Sequence, residues 1–354
     1  MSKCASWLSP VRELTRRGQA AQDHLIRLQG WQLKHLARNT GITPGRKKAN
    51  TAFDLLARLD TPNGHELYKS VDMGVKNLAV CVVRPHGSSK GPSSAYFSLE
   101  LWERSDILTG RNTSAESEDS SDSTAAATES TTNAYSPRNL APHAARVAFA
   151  LRNDHDPSHI LIERQRFRSM GGAAVQEWTL RVNSLEAMLW ASLETLRQEQ
   201  HRRQTPSTPG RIFFPEVIEM NPARIAAFWN ARGSNWSLEE EDMDRLIPDA
   251  SSATRKEADS EDPAKRGMEK SEKISLVRNW LQSGALDVKP ALQPLASAFM
   301  QTGRAKKADG DIIISKKDDL ADTCVQAVTW GLWQRNRQTL TEYLTELPGV
   351  KEAT

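Results

Sequence analysis

The chain has 354 residues, enough for one large domain or two smaller ones, and a formal net charge of +3. Its hydrophobic content of 38% and mean hydropathy of −0.58 are low for a single compact core, and no apolar run approaches the ~20 residues of a membrane helix, so a soluble protein with sizeable solvated segments is expected. Cys4, Cys81 and Cys324 are scattered, which excludes a disulfide framework or a zinc-finger spacing and favours a reducing compartment.

The small net charge conceals segregation. Residues 112–137 carry five acids and no Lys or Arg, and residues 238–262 carry ten acids against Arg245, Arg255 and Lys256, which leaves +15 on the rest of the chain. A basic body with acidic detachable segments is the pattern of a polyanion-binding protein.

Residues 1–24 form a basic segment in which Arg12, Arg16 and Arg17 face only Glu13 and Asp23; it is weakly like a mitochondrial transit segment, and equally like any basic amphipathic helix. Residues 25–62 read as a self-contained helical hairpin. Leu33, Leu36 and Ala37 mark a first helix that stops at Gly41, and Phe53, Leu55, Leu56 and Leu59 mark a second. Between them lie Arg46, Lys47 and Lys48. Cations at a helix N-terminus oppose its dipole, so an anionic partner explains them better than helix stability does. Residues 1–60 hold eleven basic against four acidic residues.

Tyr68–Val83 (YKSVDMGVKNLAVCVV) is β-branched and apolar, with Asp72 and Gly74 near its start and Lys76 in the following turn. A strand this apolar is covered on both faces, so it reads as the centre of an α/β sheet, where an ionised Asp is costly unless it is paired or holds a cation. The turn through Gly74–Asn77 and the alternating strand Ser94–Leu101 predict an antiparallel meander. Asp106–Pro137 reads as a disordered insertion and Leu140–Arg152 as a helix. Ser158–Gln165 is a second apolar strand ending in a carboxylate, Glu163, with Arg164, Arg166 and Arg168 directly after it. A long helix is expected over Ala174–Gln198, a strand over Phe213–Met220, a helix from Pro222 through Trp229, a second acidic insertion over 233–265 and a basic helix over Lys270–Leu281. The last helix opens on Lys316, Lys317, Asp318 and Asp319 and runs to about Arg337; Asp322 shares a face with either Asp318 or Asp319. Three carboxylates on one turn repel unless a cation sits between them.

Asp72, Glu163, Asp319 and Asp322 thus form a candidate set, with Asp318 as an alternative to Asp319. Hard divalent cations take carboxylate oxygens, and a two-metal site clamps both the attacking and the leaving oxygen of a phosphodiester. Basic residues beside those acids (Arg164, Arg166, Lys316, Lys317) counter a phosphate backbone.

Two resemblances narrow this. QLKHLARNTGITPGRKKANTAFDLLARL is similar to a SAP motif, a small helical DNA-binding element. SVDMGVKNLAVCVV, ILIERQRFRS, IEMNPARIAAFW and KKDDLADTCVQA, in that order, resemble the fungal mitochondrial Holliday-junction resolvases, relatives of the bacterial RuvC resolvase. The resemblance implies an RNase H-like α/β domain over residues 65–345 with a mixed five-stranded sheet flanked by helices. It also implies a mitochondrial homodimer that binds a four-way DNA junction and nicks opposing strands with two Mg²⁺ ions (Mn²⁺ as a substitute), no nucleotide cofactor and no membrane partner. Asp72, Glu163, Asp319 and Asp322 match the metal-binding carboxylates; Asp319 is preferred over Asp318 because the RuvC-like pattern is D-x-x-D. Arg46, Lys47, Lys48, Lys76, Arg164, Arg166, Arg168, Lys316 and Lys317 are the expected DNA contacts. A non-catalytic branched-DNA-binding module and an actin-like ATPase are the competing readings. The second would need a further glycine-rich phosphate loop, for which Gly171-Gly172 and Gly331 are poorly placed.

Overall fold

The structure, a computed structural model, describes residues 8–59, 66–86, 96–110, 112–114, 135–165, 177–203, 213–232, 266–301, 314 and 316–347. The chain divides into two compact units: His65–Asn221 with Glu269–Val328, and Met1–Gly64 with Pro222–Met268 and Thr329–Thr354.

The first of these units is built on a sheet. Strands β1 (Tyr68–Asp72), β2 (Leu78–Pro85) and β3 (Phe97–Ser105) form the expected antiparallel meander. Strand β4 (His159–Glu163) adds parallel to β1, and β5 (Glu216–Met220) parallel to β4. A sixth strand, β6 (Leu286–Val288), pairs parallel to β3 at the other edge, giving the order β5-β4-β1-β2-β3-β6. Among the described residues the five strands expected are therefore six. Three residues are too few to show an alternating pattern in the sequence, and β6 exists only because β3 offers it an open edge.

Helices α4 (Pro137–Asn153) and α5 (Glu177–Arg203) cover one face. Leu140, Ala144, Ala148 and Leu151 of α4 and Val182, Leu185, Leu189 and Leu193 of α5 pack with Val71, Val80, Ile160 and Ile162 of the sheet. Helix α4 begins before Leu140 because Pro137, with its preset φ, opens it. A buried lysine ties α4 to the sheet: Lys69 Nζ donates to the carbonyls of Leu151 at 2.9 Å and Ala150 at 3.3 Å, and also to that of Asp154. Burial pulls the Lys69 pKa down to about 8, against the opposing pull of Asp154 and Glu103.

Part of the expected insertion 106–137 is folded. Ile107 is buried and its N–H donates to Val75 O at 2.9 Å, while Ser114 Oγ accepts from Arg104 N at 2.6 Å. These residues continue β3 back onto the meander, so the acidic stretch proper starts later. Residues 115–134 and the second insertion, 233–265, lie outside the described residues.

Behind the sheet follow α7 (Lys270–Ser283), α8 (Gln293–Met300) and the start of α9 (Lys317–Glu346). Trp102 on β3 fastens α9: its Nε1 donates to Leu320 O at 2.9 Å, and its ring lies 4.8 Å from that of Phe299 on α8. Gln326 of α9 reaches the backbone of two strands, its Nε2 donating to Leu161 O at 3.0 Å and lying 3.5 Å from Val71 O. Replacing Gln326 by Leu should therefore cost about 1–2 kcal/mol in denaturant unfolding and loosen the seating of α9. An unchanged unfolding midpoint would show that these bonds contribute nothing.

The second unit contains α1 (Leu8–Arg27), α2 (Gly30–Asn39), α3 (Lys48–Leu56) and α6 (Pro222–Arg232), together with α9 from Thr329 onward. Leu25, Leu28, Leu33, Leu36, Ala52 and Leu55 share a core with Leu340 and Leu344 of α9. The hairpin's turn is fastened as well: Arg337 Nε donates to Thr40 O at 2.9 Å, and Asn336 Nδ2 to Asn39 O at 2.7 Å. Gly41 has φ +66°, and a Cβ there would lie 2.1 Å from the Trp333 ring, so this position demands glycine twice over. The hairpin is thus bound to the chain's last helix. Among the described residues no helix is long and apolar enough to cross a membrane.

Candidate active site

The register of the central strands decides where the acids meet. Strands β1 and β4 run parallel with Val71 beside Ile162, so Asp72 and Glu163, the next residues of each, end neighbouring strands at the same edge of the sheet. In open α/β sheets this carboxyl edge is where ligands bind. Gly74 allows the chain to turn at once: a Cβ there would stand 2.8 Å from Asn77 O. The first turns of α9, held by Trp102 and Gln326, bring Asp319 and Asp322 to the same place.

Electrostatics shows the convergence. Burial, then the charges of Glu163, Asp322 and Asp319, hold the Asp72 carboxyl well above the usual carboxylate range, with Lys273 pulling it back. Asp319 is pushed up to about 6 by burial and by Asp318, against Arg104 and Lys316. Asp322 is raised by burial, and Lys273 opposes this. Asp318 behaves differently. Burial would raise it, but its ion pair with Lys270 and the N–H groups at the helix start outweigh burial, and its pKa falls. Asp318 and Asp319 are about equally exposed and differ in their partners: Asp318 pairs with Lys270, whereas the charge of Asp319 acts on Asp72.

Several cations at this site were not singled out from the sequence. Arg104 on β3 is held by Thr113, Nε to Oγ1 at 3.1 Å and Nη2 to the carbonyl at 2.7 Å, and its Nη1 lies 3.9 Å from Asp319 Oδ2. Helix α7 lays Lys270 against Asp318 and Lys273 against Asp322, the latter at 2.8 Å. A signal for the α7 lysines existed in the sequence, because Lys270 and Lys273 lie in the opening turns of a helix, where the dipole disfavours them.

The expected DNA contacts do not share one environment. Arg46, Lys47 and Lys48 are exposed around the start of α3; Lys76 and Arg164 are exposed beside Asp72 and Glu163, Arg164 lying 3.4 Å from Glu219. Lys316 is half-buried and acts on Asp319. Lys317 has another role: its Nζ donates to the carbonyls of Ala298, Phe299 and Gln301 at 3.0, 3.2 and 2.7 Å, capping the C-terminus of α8. Arg166 and Arg168 lie outside the described residues.

The donor set suits a hard cation. All donors are carboxylates, and Asp319 Oδ2 is shielded from solvent with no hydrogen-bond donor. Among the described residues no three acidic, thiol or imidazole groups are gathered closely enough to hold a metal ion; Asp318 and Asp322 are paired with the α7 lysines.

Comparison with known proteins agrees with this arrangement. The chain is 25% identical over 197 residues to the mitochondrial cruciform cutting endonuclease 1 of Schizosaccharomyces pombe, a match covering 56% of this chain and 65% of that protein. It is 24% identical over 212 residues to the protein of the same name from Saccharomyces cerevisiae, covering 55% of this chain and 53% of that one. The matched stretches thus span between half and two thirds of those relatives' lengths. The crystal structure of the yeast mitochondrial Holliday junction resolvase Ydc2 superposes with a TM-score of 0.52 at 17% identity, covering 89% of this chain and 97% of that one; it shares the RNase H-like fold. The family model described as mitochondrial resolvase Ydc2 / RNA splicing MRS1 matches residues 69–340. The match takes in both acid-ending strands, the lysines of α7 and the carboxylates of α9, and the chain belongs to that family.

Proposed function

We propose that this protein is a mitochondrial endonuclease that resolves four-way DNA junctions as a homodimer, by paired nicks at a site holding two Mg²⁺ ions, with Mn²⁺ as a substitute. The observation that carries this is the meeting of Asp72 and Glu163, at the ends of adjacent parallel strands, with Asp319 and Asp322 of α9. Asp72, on which the charges of Glu163, Asp319 and Asp322 all act, would hold the metal together with those three carboxylates. The bound metal supplies Lewis acidity and a water of lowered pKa. The protein's own contribution is to fix the carboxylates on rigid elements and to place Lys76, Arg164 and Lys316 around them for the phosphates. Two-fold symmetry suits the substrate, because a closed dimer presents two identical sites to a near two-fold junction.

The test is cleavage of an end-labelled four-way junction beside a linear duplex of the same sequence and a structured RNA. Symmetric nicks confined to the junction are expected. Equal cutting of the duplex would remove the junction selectivity, and RNA binding without any cutting would favour the RNA-splicing side of the family instead.

The exposed Arg46-Lys47-Lys48 cluster is assigned to duplex-arm contact. Changing all three to Ala should weaken junction binding about tenfold or more near 0.1 M salt and lower the salt slope by roughly 2–3, with the single-turnover cutting rate of saturated complex nearly unchanged. An unaltered slope would exclude these residues from the interface. Deleting residues 1–60 is a poorer test, because Leu340 and Leu344 would lose their core partners.

A further inference from the structure

We infer that Lys273 is a built-in counter-ion of the carboxylate cluster, holding Asp322 in the metal-free protein and competing with the metal for it, so that this lysine sets the affinity of the site; the inference rests on the metal-site reading above. Asp72 and the three carboxylates whose charges act on it cannot all stay ionised without cations, and the protein supplies its own. Among the described residues Lys273 is the ammonium that reaches deepest: its Nζ is 2.8 Å from Asp322 Oδ1, both side chains are less than one-fifth exposed, and its charge extends to Asp72. Lys270, one turn earlier on the same helix, pairs with Asp318 and is itself 77% exposed. Arg104 approaches Asp319 only to 3.9 Å and is tied down by Thr113.

The anchoring of α7 makes the difference between a fixed strut and a displaceable ion. The helix itself is fixed, through buried Val277 and Trp280 and through Arg278, whose guanidinium donates to Phe299 O at 3.2 Å and Gln301 O at 2.9 Å. The lysine that projects from it is a flexible four-carbon stem carrying a point charge, held by one ion pair. Lys273 can therefore release Asp322 without moving the backbone, and Asp322 is then free to turn toward Asp72. Loading the site exchanges one internal cation for an external one, and the strength of the internal pair is subtracted from the apparent metal affinity.

The experiment titrates Mn²⁺ alone, without DNA, into full-length wild type, K273Q and K273R, reading heat of binding and the rise in Tm. K273Q is expected to bind Mn²⁺ about fivefold more tightly than wild type while melting at a lower temperature in EDTA at pH 7.5. K273R, whose planar fork grips a carboxylate more firmly than an ammonium does, is expected to bind Mn²⁺ more weakly than wild type. A strut with a merely structural role would lower the EDTA melting temperature in K273Q without tightening metal binding, and that result overturns the inference. If K273Q does not fold, K273R decides: binding equal to or tighter than wild type overturns it. Absence of Mn²⁺ binding to wild type would overturn the metal-site reading and this inference together, whereas binding by wild type with no tightening in K273Q defeats the inference alone.

Discussion

Replacing Asp72 by Asn is expected to lower the single-turnover rate of junction cleavage about 10³-fold or more while leaving junction binding equal to wild type or tighter. The asymmetry follows from the place of Asp72. It ends β1, where burial and the charges of three other carboxylates bear on it at once. Asn keeps the shape and can still accept through its carbonyl, so the strand, the Gly74 turn and the seating of α9 survive. It removes the charge that a divalent cation needs, and no other residue can substitute from the same position. Removing a negative charge also lessens repulsion of the phosphodiester, which is why binding is not expected to fall. The check is a filter-binding isotherm in Ca²⁺ or EDTA paired with a quenched time course in Mg²⁺. Loss of binding in step with cleavage would mean that Asp72 supports the fold rather than the chemistry. Residual cleavage near the wild-type rate would remove it from the site.

The second large effect is on stability, and it depends on pH. Asp319 has a folded-state pKa of about 6 against an ordinary 3.8, so the folded protein holds this proton more tightly than the unfolded chain does. Such a group stabilises the fold fully below about pH 4, and that contribution is lost as pH rises to about 6. The shift of about two units corresponds to roughly 3 kcal/mol at most; because the group is partly open to water, screening brings this to about 1–2 kcal/mol. Asp72 and Asp322 are displaced in the same direction and add to the trend. Without metal the cluster is therefore a destabilising element at neutral pH. The Tm gain from saturating Mg²⁺ should be small at pH 5 and several degrees at pH 7.5, and Asp72→Asn should melt higher than wild type in EDTA at pH 7.5 yet gain little from Mg²⁺. Differential scanning fluorimetry at the two pH values, with EDTA and with Mg²⁺, measures all of this. A Mg²⁺ effect of the same size at both pH values would refute the account.

Much of the site is readable along the chain because its signals are local. Asp72 and Glu163 each close a β-branched apolar run, and a charge at the end of a doubly covered strand stands out within a window of a few residues. Asp318, Asp319 and Asp322 crowd the first turns of a helix, where a single cap would suffice. The meander β1–β2–β3 is equally local, since a short Gly-containing turn permits little but antiparallel pairing. Lys317 shows the limit of such reading: next to two acids it looks like a phosphate contact, and only the position of α8 turns it into a helix cap.

The amino-acid sequence by itself determined which residues carry the charge, which strands are central and, through ordered motifs, the family. The tertiary structure alone decided how the charges are paired. Asp318 and Asp319 can each share a face with Asp322, and the difference between them comes from packing, with Asp318 paired to Lys270 and the charge of Asp319 acting on Asp72. Arg104, Lys270 and Lys273 enter from β3 and α7, elements distant along the chain from each acid they meet, and no periodicity reports a contact across that separation. Strand β6 likewise depends on an edge offered elsewhere. The physical reason is common to all three: periodicity and capping act over one or two turns of chain, whereas a buried cluster of like charges is neutralised by whatever cations the fold brings within a few ångströms.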